Sequence, residues 1–212
     1  MPLIRKPSSP AALGEPASAA DPAAIVDALA CGNDDERWSA ARAAADLPST
    51  VPALGNALAH ERSPIVREAI FSALARIATP QSVEAVLPFL RSDDALIRTG
   101  ASDALLAMKE VACPYVLALL EDQDPSVRVL ACVLVRDMPS RSAAGLCCDL
   151  LDSEPDANVC AAAVETLAEI GDSSSLPALT RCADRFGDTP FLEFSIRTVI
   201  DRVRSRVASS RA

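Results

Sequence analysis

The chain has 212 residues, half of them apolar yet only 3% aromatic, and a formal net charge of −9. A surface of that sign repels phosphate backbones, and nucleic-acid affinity rests largely on their neutralisation by Lys and Arg, so DNA or RNA binding is disfavoured. No alternating run of β-branched and aromatic residues marks a strand, and no apolar run is long enough to span a bilayer.

Residues 1–20 read as a Pro/Ala/Ser-rich disordered tail. Pro2, Pro7, Pro10 and Pro16 fall there without helical periodicity, and such a segment cannot bury enough apolar surface to offset its ordering entropy. Order is expected from Asp21, a helix N-cap followed by Pro22 at the first helical position. A short helix then runs to Cys31, with Gly32 as its stop. No charged segment followed by an apolar core opens the chain as a secretory signal would.

Beyond this point the sequence repeats. Asp124-Pro125-Ser126-Val127-Arg128 recurs as Ser63-Pro64-Ile65-Val66-Arg67 and, without proline, as Asp94-Ala95-Leu96-Ile97-Arg98. Arg67, Arg98 and Arg128 are thus 31 and 30 residues apart. Cys160 holds the position one step later, and Trp38 or Arg37 one step earlier. Each unit carries a second marker, apolar-Pro-x-apolar, at Val51-Pro52, Leu87-Pro88, Cys113-Pro114 and Leu176-Pro177, with Ala144-Gly145 in the fourth unit. Proline in a first turn costs little, because the first N–H groups lack intrahelical partners. Each unit is therefore read as helix, turn, helix, with units near 33–60, 61–91, 92–121, 122–152 and 153–185 in a single domain over 21–212. Repeats of this length mark solenoids. Val66, Ala69, Ile70, Ala73, Leu74 and Ile77 keep helical spacing, as do Ile97, Ala101, Ala104, Leu105 and Met108. The helix from Val127 has almost no polar face, so it is expected to be buried on several sides. A capping helix is expected over 189–208, with Ile196, Val199, Ile200, Val203 and Val207 as its inner stripe.

This unit resembles the HEAT repeats of the short bacterial type, also found in the phycobilisome lyase-like group. The resemblance covers about residues 33–185 and is clearest in units two to four. It implies an all-α fold: a right-handed α-solenoid of about five antiparallel helix-pair repeats with a C-terminal capping helix. It also implies a function among scaffolds, adaptors, bilin lyases and some DNA glycosylases. The first and fifth units depart most, lacking the arginine at its usual place, as end repeats can.

Repetition of Arg67, Arg98 and Arg128 in successive units favours a structural role, each pairing with a neighbouring unit. His60, the one histidine, ends a predicted helix and has no nucleophile motif beside it. Cys147 and Cys148 point about 100° apart on a helix, so one is expected inside and the other nearer the surface. They lack zinc-site spacing. Trp38, with Arg37 and Arg42, is read as packing in the first repeat. Arg197, Arg202, Arg204, Arg206 and Arg211 are read as the solvated face of the last helix. The seven cysteines form no CxxC pair and sit mostly in apolar stretches, which fits a reducing cytoplasm. No catalytic, cofactor or metal residue is assigned and no cofactor is needed. The expected function is a non-catalytic scaffold or adaptor for a protein or peptide partner, in bacterial regulation. Second helices usually line the concave side of such arrays, which makes Asn56, Glu84, Tyr115, Asp149 and Arg181 the candidate contacts. A bilin-lyase-like enzyme or chromophore chaperone is the alternative, and a nucleic-acid-processing protein the second alternative.

Overall fold

The structure is a computed structural model that describes residues 21–136, 138 and 140–209; the expected tail and Arg211 lie outside these residues. Helix α1 (Pro22–Cys31) begins under Asp21, whose carboxylate accepts the Ala23 N–H at 3.0 Å. Helix α2 (Asp34–Ala44) opens with a capping box in which Asn33 and Glu36 each bond the other's N–H, at 3.0 and 2.8 Å. A cap of this kind is worth about 1 kcal/mol. A 3₁₀ turn, Pro48–Thr50, leads into α3 (Val51–His60). The next units are α4 (Pro64–Ile77) with α5 (Pro80–Val86), and α6 (Ala95–Ala107) with α7 (Lys109–Ala112) and α8 (Val116–Leu120). They are followed by α9 (Pro125–Val135) with α10 (Ser140–Ser153), then α11 (Ala157–Ile170) with α12 (Leu176–Arg185), and finally α13 (Pro190–Ser209). The described residues contain no strand.

The helices stack in two rows. The first row contains α2, α4 and α6, then α9, α11 and α13; the second contains α1, α3, α5, α7, α8, α10 and α12. Helix α1 packs on α2 and α3, so it heads the second row as half of a pair. At the other end α13 packs on α11 and α12 and closes the first row. The architecture is an all-α solenoid of helix pairs between two half-pairs.

Burial follows the repeat position by position. Ala44, Leu74, Leu105, Val135 and Leu167, one from each first helix, are all inaccessible to solvent. So are Leu54, Val86, Val116, Cys147 and Leu179 in the second row. Four residues before each of the latter lies a small, fully buried residue: Thr50, Ser82, Ala112, Ala143 and Ser175. Their size allows each second helix to start close against its neighbour, while each large side chain contributes about 1.5–3 kcal/mol on burial. Where the small residue is polar, local partners satisfy it, as Thr50 Oγ1 does by donating to the Leu47 carbonyl at 2.7 Å.

One proline marker sits elsewhere than expected. In the second unit the second helix begins at Pro80, under a Thr79–Ser82 capping box, seven residues before Leu87. Pro88 lies one turn beyond the position held by Pro52, Pro114 and Pro177, which here is Glu84. An interior proline removes a helical N–H, and the chain tightens there into a 3₁₀ segment, Leu87–Arg91. A second irregularity lies between the third and fourth units. Helix α8 packs closely on α9, but α6 does not pack closely on α9, nor α8 on α10.

Candidate interaction surface

A ladder of arginines and acids joins successive units along the edge where the first helices begin. Counting four residues from each N-cap gives Arg37 after Asn33, Arg67 after Ser63, Arg98 after Asp94, Arg128 after Asp124 and Cys160 after Asp156. The first unit therefore does hold the repeat arginine, and it is Arg37 rather than Trp38. Arg37 donates to both Glu61 oxygens, at 2.7 and 3.1 Å, and to the Gly32 carbonyl at 2.7 Å. Arg128 donates to Glu154 at 2.7 and 2.8 Å and to the carbonyls of Asp122 and Gln123 at 2.7 and 3.1 Å. Arg67 reaches Asp94 at 3.1 Å, and Arg98 holds the Ser92 and Asp93 carbonyls at 2.6 and 3.0 Å.

The receiving acids have a second task. Glu61, Asp122 and Glu154 each stand two residues before the next N-cap and accept its backbone N–H, at 2.8, 3.0 and 2.8 Å. Their side chains are almost fully buried. The Arg37 guanidinium holds the Glu61 carboxyl below its ordinary range. Burial would raise Glu154, but Arg128 and the Asp156 N–H outweigh it and the net direction is down.

Two rungs use substitutes. Asp122 pairs with Arg91, the last residue of the 3₁₀ segment that precedes α6. In the fifth unit, where Cys160 replaces arginine, Arg185 comes across from the end of α12. It donates to the carbonyls of Leu151, Asp152 and Glu154 at 2.8, 2.9 and 2.8 Å. Glu154 O is the counterpart of the Asp122 carbonyl that Arg128 holds one unit earlier.

The second row presents an exposed stripe. Asn56, Asp149 and Arg181 share one repeat position with Pro88 and Ala118, and all five are exposed. Glu84 shares its position with Pro52, Pro114, Gly145 and Pro177, also exposed. Packed helices lie about 8–10 Å apart, so Asn56 and Asp149, three steps apart, are on the order of 25–30 Å from each other. Internal partners hold some of these groups: the Tyr115 hydroxyl donates to Glu84 at 3.0 Å, and Arg181 grips Asp152 at 2.9 and 2.8 Å. Tyr115 lies in a 3₁₀ turn, Cys113–Tyr115, just before α8. Its phenol is pushed up by burial and by the Glu84 carboxylate. Among the described residues the side chains of Asn56 and Asp149 have no such partner.

Where α8 and α10 part, the second row opens into a trough of about 580 Å³. Leu117, Leu120, Leu146 and Leu150 line it, with Glu121 and Asp149 beside them, and the Arg128–Glu154 rung borders it. Of these residues the sequence pointed to Asp149 and Arg128 alone. On the opposite row, a trough of about 500 Å³ between α4 and α6 is lined by Phe71, Leu96, Ile97 and Gly100. A Cβ at Gly100 would stand 2.8 Å from the Phe71 ring, so the glycine is what lets that ring settle. Trp38 borders a smaller trough beside α4, with the Arg42 guanidinium 4.7 Å above its ring.

The residues offered for chemistry have structural places. His60 Nδ1 donates to the Asn56 carbonyl at 2.9 Å. Cys147 occupies a core position and burial pushes its thiol up; Cys148 is half-buried and burial raises it too. Burial also raises Cys132, to about 12. Cys160 and Cys182 are both buried, and the Cys160 thiol donates to the Glu154 carbonyl at 3.5 Å. Arg206, read as part of a solvated face, instead donates to the carbonyls of Ala168, Glu169 and Gly171 at 2.6, 2.9 and 3.1 Å, because the open end of α11 needs donors. Arg197 and Arg204 pair with Glu193 and Asp201 on α13 itself. Among the described residues no three His, Cys, Asp or Glu side chains are grouped to hold a metal ion, and no helix is long and apolar enough to cross a membrane.

No curated protein matches the sequence. Among solved structures, an engineered protein from the Northeast Structural Genomics Consortium is 17% identical, with 86% of this chain and 96% of that one covered and a TM-score of 0.44. A designed armadillo repeat protein is 15% identical, covering 86% and 99%, with a TM-score of 0.42. The complex of CpcE and CpcF of phycocyanin lyase from Nostoc sp. PCC7120 gives 16% identity, 93% and 100% coverage and a TM-score of 0.38. The profile of the family described as HEAT repeats matches residues 22–107 and 113–189. Most of the chain is thus accounted for by that profile, in two blocks that divide just before α8, and the protein belongs to the HEAT-repeat family.

Proposed function

We propose that this chain is a non-catalytic scaffold that holds a protein or peptide partner on its second-helix row. The observation that carries this reading is the exposed stripe of equivalent positions from Asn56 to Arg181, broken by the leucine-lined trough between α8 and α10. Its length exceeds what a small molecule spans, and its rigidity comes from the packed rows beneath. His60 and Cys147, the residues closest to a chemical role, are engaged with a carbonyl and with the core. Four of the seven cysteines, Cys132, Cys147, Cys160 and Cys182, are buried as free thiols, a usage that favours a reducing cytoplasm.

The test is photocrosslinking in cells. A benzophenone amino acid is placed at Leu117 or Leu150 in the second row, and at Ile65 in the first. Protein adducts from the second-row positions, and none from Ile65, are expected. Adducts confined to Ile65, or none at all, would refute the assignment.

A further inference from the structure

We infer that the trough between α8 and α10 takes a cationic amphipathic helix, with leucine-like side chains on one face and Lys or Arg flanking them; this rests on the scaffold reading above. The floor supplies the first half of the argument. Leu117 is 57% exposed and half-buried Leu146 and Leu150 line the same trough over buried Leu120, so the protein leaves apolar surface partly uncovered where its second row parts. Such patches mark interaction sites, and a volume of about 580 Å³ suits the apolar side of a short helix lying in a groove.

Charge supplies the second half. Glu121 and Asp149 border the leucines, and among the described residues no cation pairs with either. The nearby arginine, Arg128, is already committed to Glu154 and two carbonyls. An acidic rim on a chain of net charge −9 attracts Lys and Arg and repels phosphate. A second copy is a poorer complement. Its exposed Phe191 and Phe194 lie on a helix where Glu193 and Asp201 are interspersed with the arginines.

The probe is a fluorescein-labelled 14-residue peptide of Leu and Arg in helical spacing, followed by anisotropy, with a scrambled peptide of equal composition alongside. The ordered peptide is expected to bind the full chain more tightly than the scrambled one, and less tightly as salt rises. The double variant Glu121→Lys/Asp149→Lys should lose at least tenfold in affinity. Glu68→Lys/Asp103→Lys, at the trough between α4 and α6, should lose less than twofold. Leu117→Ser, at an exposed position that leaves the core intact, should weaken binding without changing the helical circular dichroism. Equal losses in both charge variants, or equal binding of both peptides, would mean general attraction to an acidic surface and overturn the proposal. If a cellular partner crosslinks at Leu117 yet ignores Glu121→Lys/Asp149→Lys, the cationic assignment falls and the scaffold reading stands. A crosslink joining two copies through the trough likewise overturns it. Absence of any second-row adduct removes the scaffold reading itself.

Discussion

Arg128→Ala tests the ladder directly, because the structure says what is left behind. The substitution strips two charge-assisted hydrogen bonds from Glu154, a carboxylate with 3% of its side chain exposed, and donors from the Asp122 and Gln123 carbonyls. Removing one partner of a buried ion pair costs roughly 3–5 kcal/mol. The lower end applies here, about 3 kcal/mol, since Glu154 keeps the Asp156 N–H at 2.8 Å. Urea unfolding at pH 7, fitted for both midpoint and slope, should report this loss. The sign of its pH dependence follows from Glu154. Its carboxyl is held low in the folded protein, so the pair's contribution is full above the unfolded value of about 4.3 and disappears as pH falls through the folded value. Without Arg128, burial raises the folded carboxyl, and that penalty vanishes once the group is protonated. The gap between the two proteins should therefore narrow as pH falls past the unfolded value of about 4.3, down to the part owed to the two carbonyls. A loss under about 1 kcal/mol at pH 7, or an equal loss at pH 3, would refute the reasoning.

Gly100→Ala gains about 1 kcal/mol in helix propensity but drives a methyl into the buried Phe71 ring, an overpacking cost of about 1–3 kcal/mol. A net loss of about 1 kcal/mol is expected in urea unfolding, relieved by Phe71→Leu. Arg185→Ala should cost about 1–2 kcal/mol through the carbonyls it leaves open, with hydrogen exchange rising first at the α10–α11 turn. Labelling with iodoacetamide at pH 8 should modify exposed Cys31 rapidly while Cys132 and Cys147 stay protected until unfolding; peptide mass spectrometry reads the order, and prompt labelling of Cys147 would contradict its core position.

Much of the fold was legible because caps and core positions are local signals repeated in register. Asp21, Asp94 and Asp124 announce their helices, and Leu74, Leu105 and Val135 keep their spacing whatever surrounds them. Four residues on from an N-cap at Asp34 comes Trp38, and from one at Asn33 comes Arg37. The Asn33-x-x-Glu36 box was the decisive signal and sets the count to Arg37. Arg91 and Arg185 were invisible as rungs, because each reaches its place from outside the repeat position and only three-dimensional packing brings it there. The trough was hidden for a related reason. Leu117 and Leu150 look like ordinary helix residues, and their exposure depends on how far apart two helices stand.

The junction between the third and fourth units also has a mechanical meaning. Elsewhere both rows bind unit to unit. Here the closest packing is that of α8 on α9, with the Arg91–Asp122 pair at the turn between them. Two stiff blocks fastened along a single edge bend like a book on its spine. The leucine trough lies in the opening of that book, so its width is the dimension such bending would change. A bound helix of larger or smaller girth would be accommodated by changing the curvature of the whole array rather than by repacking any one core.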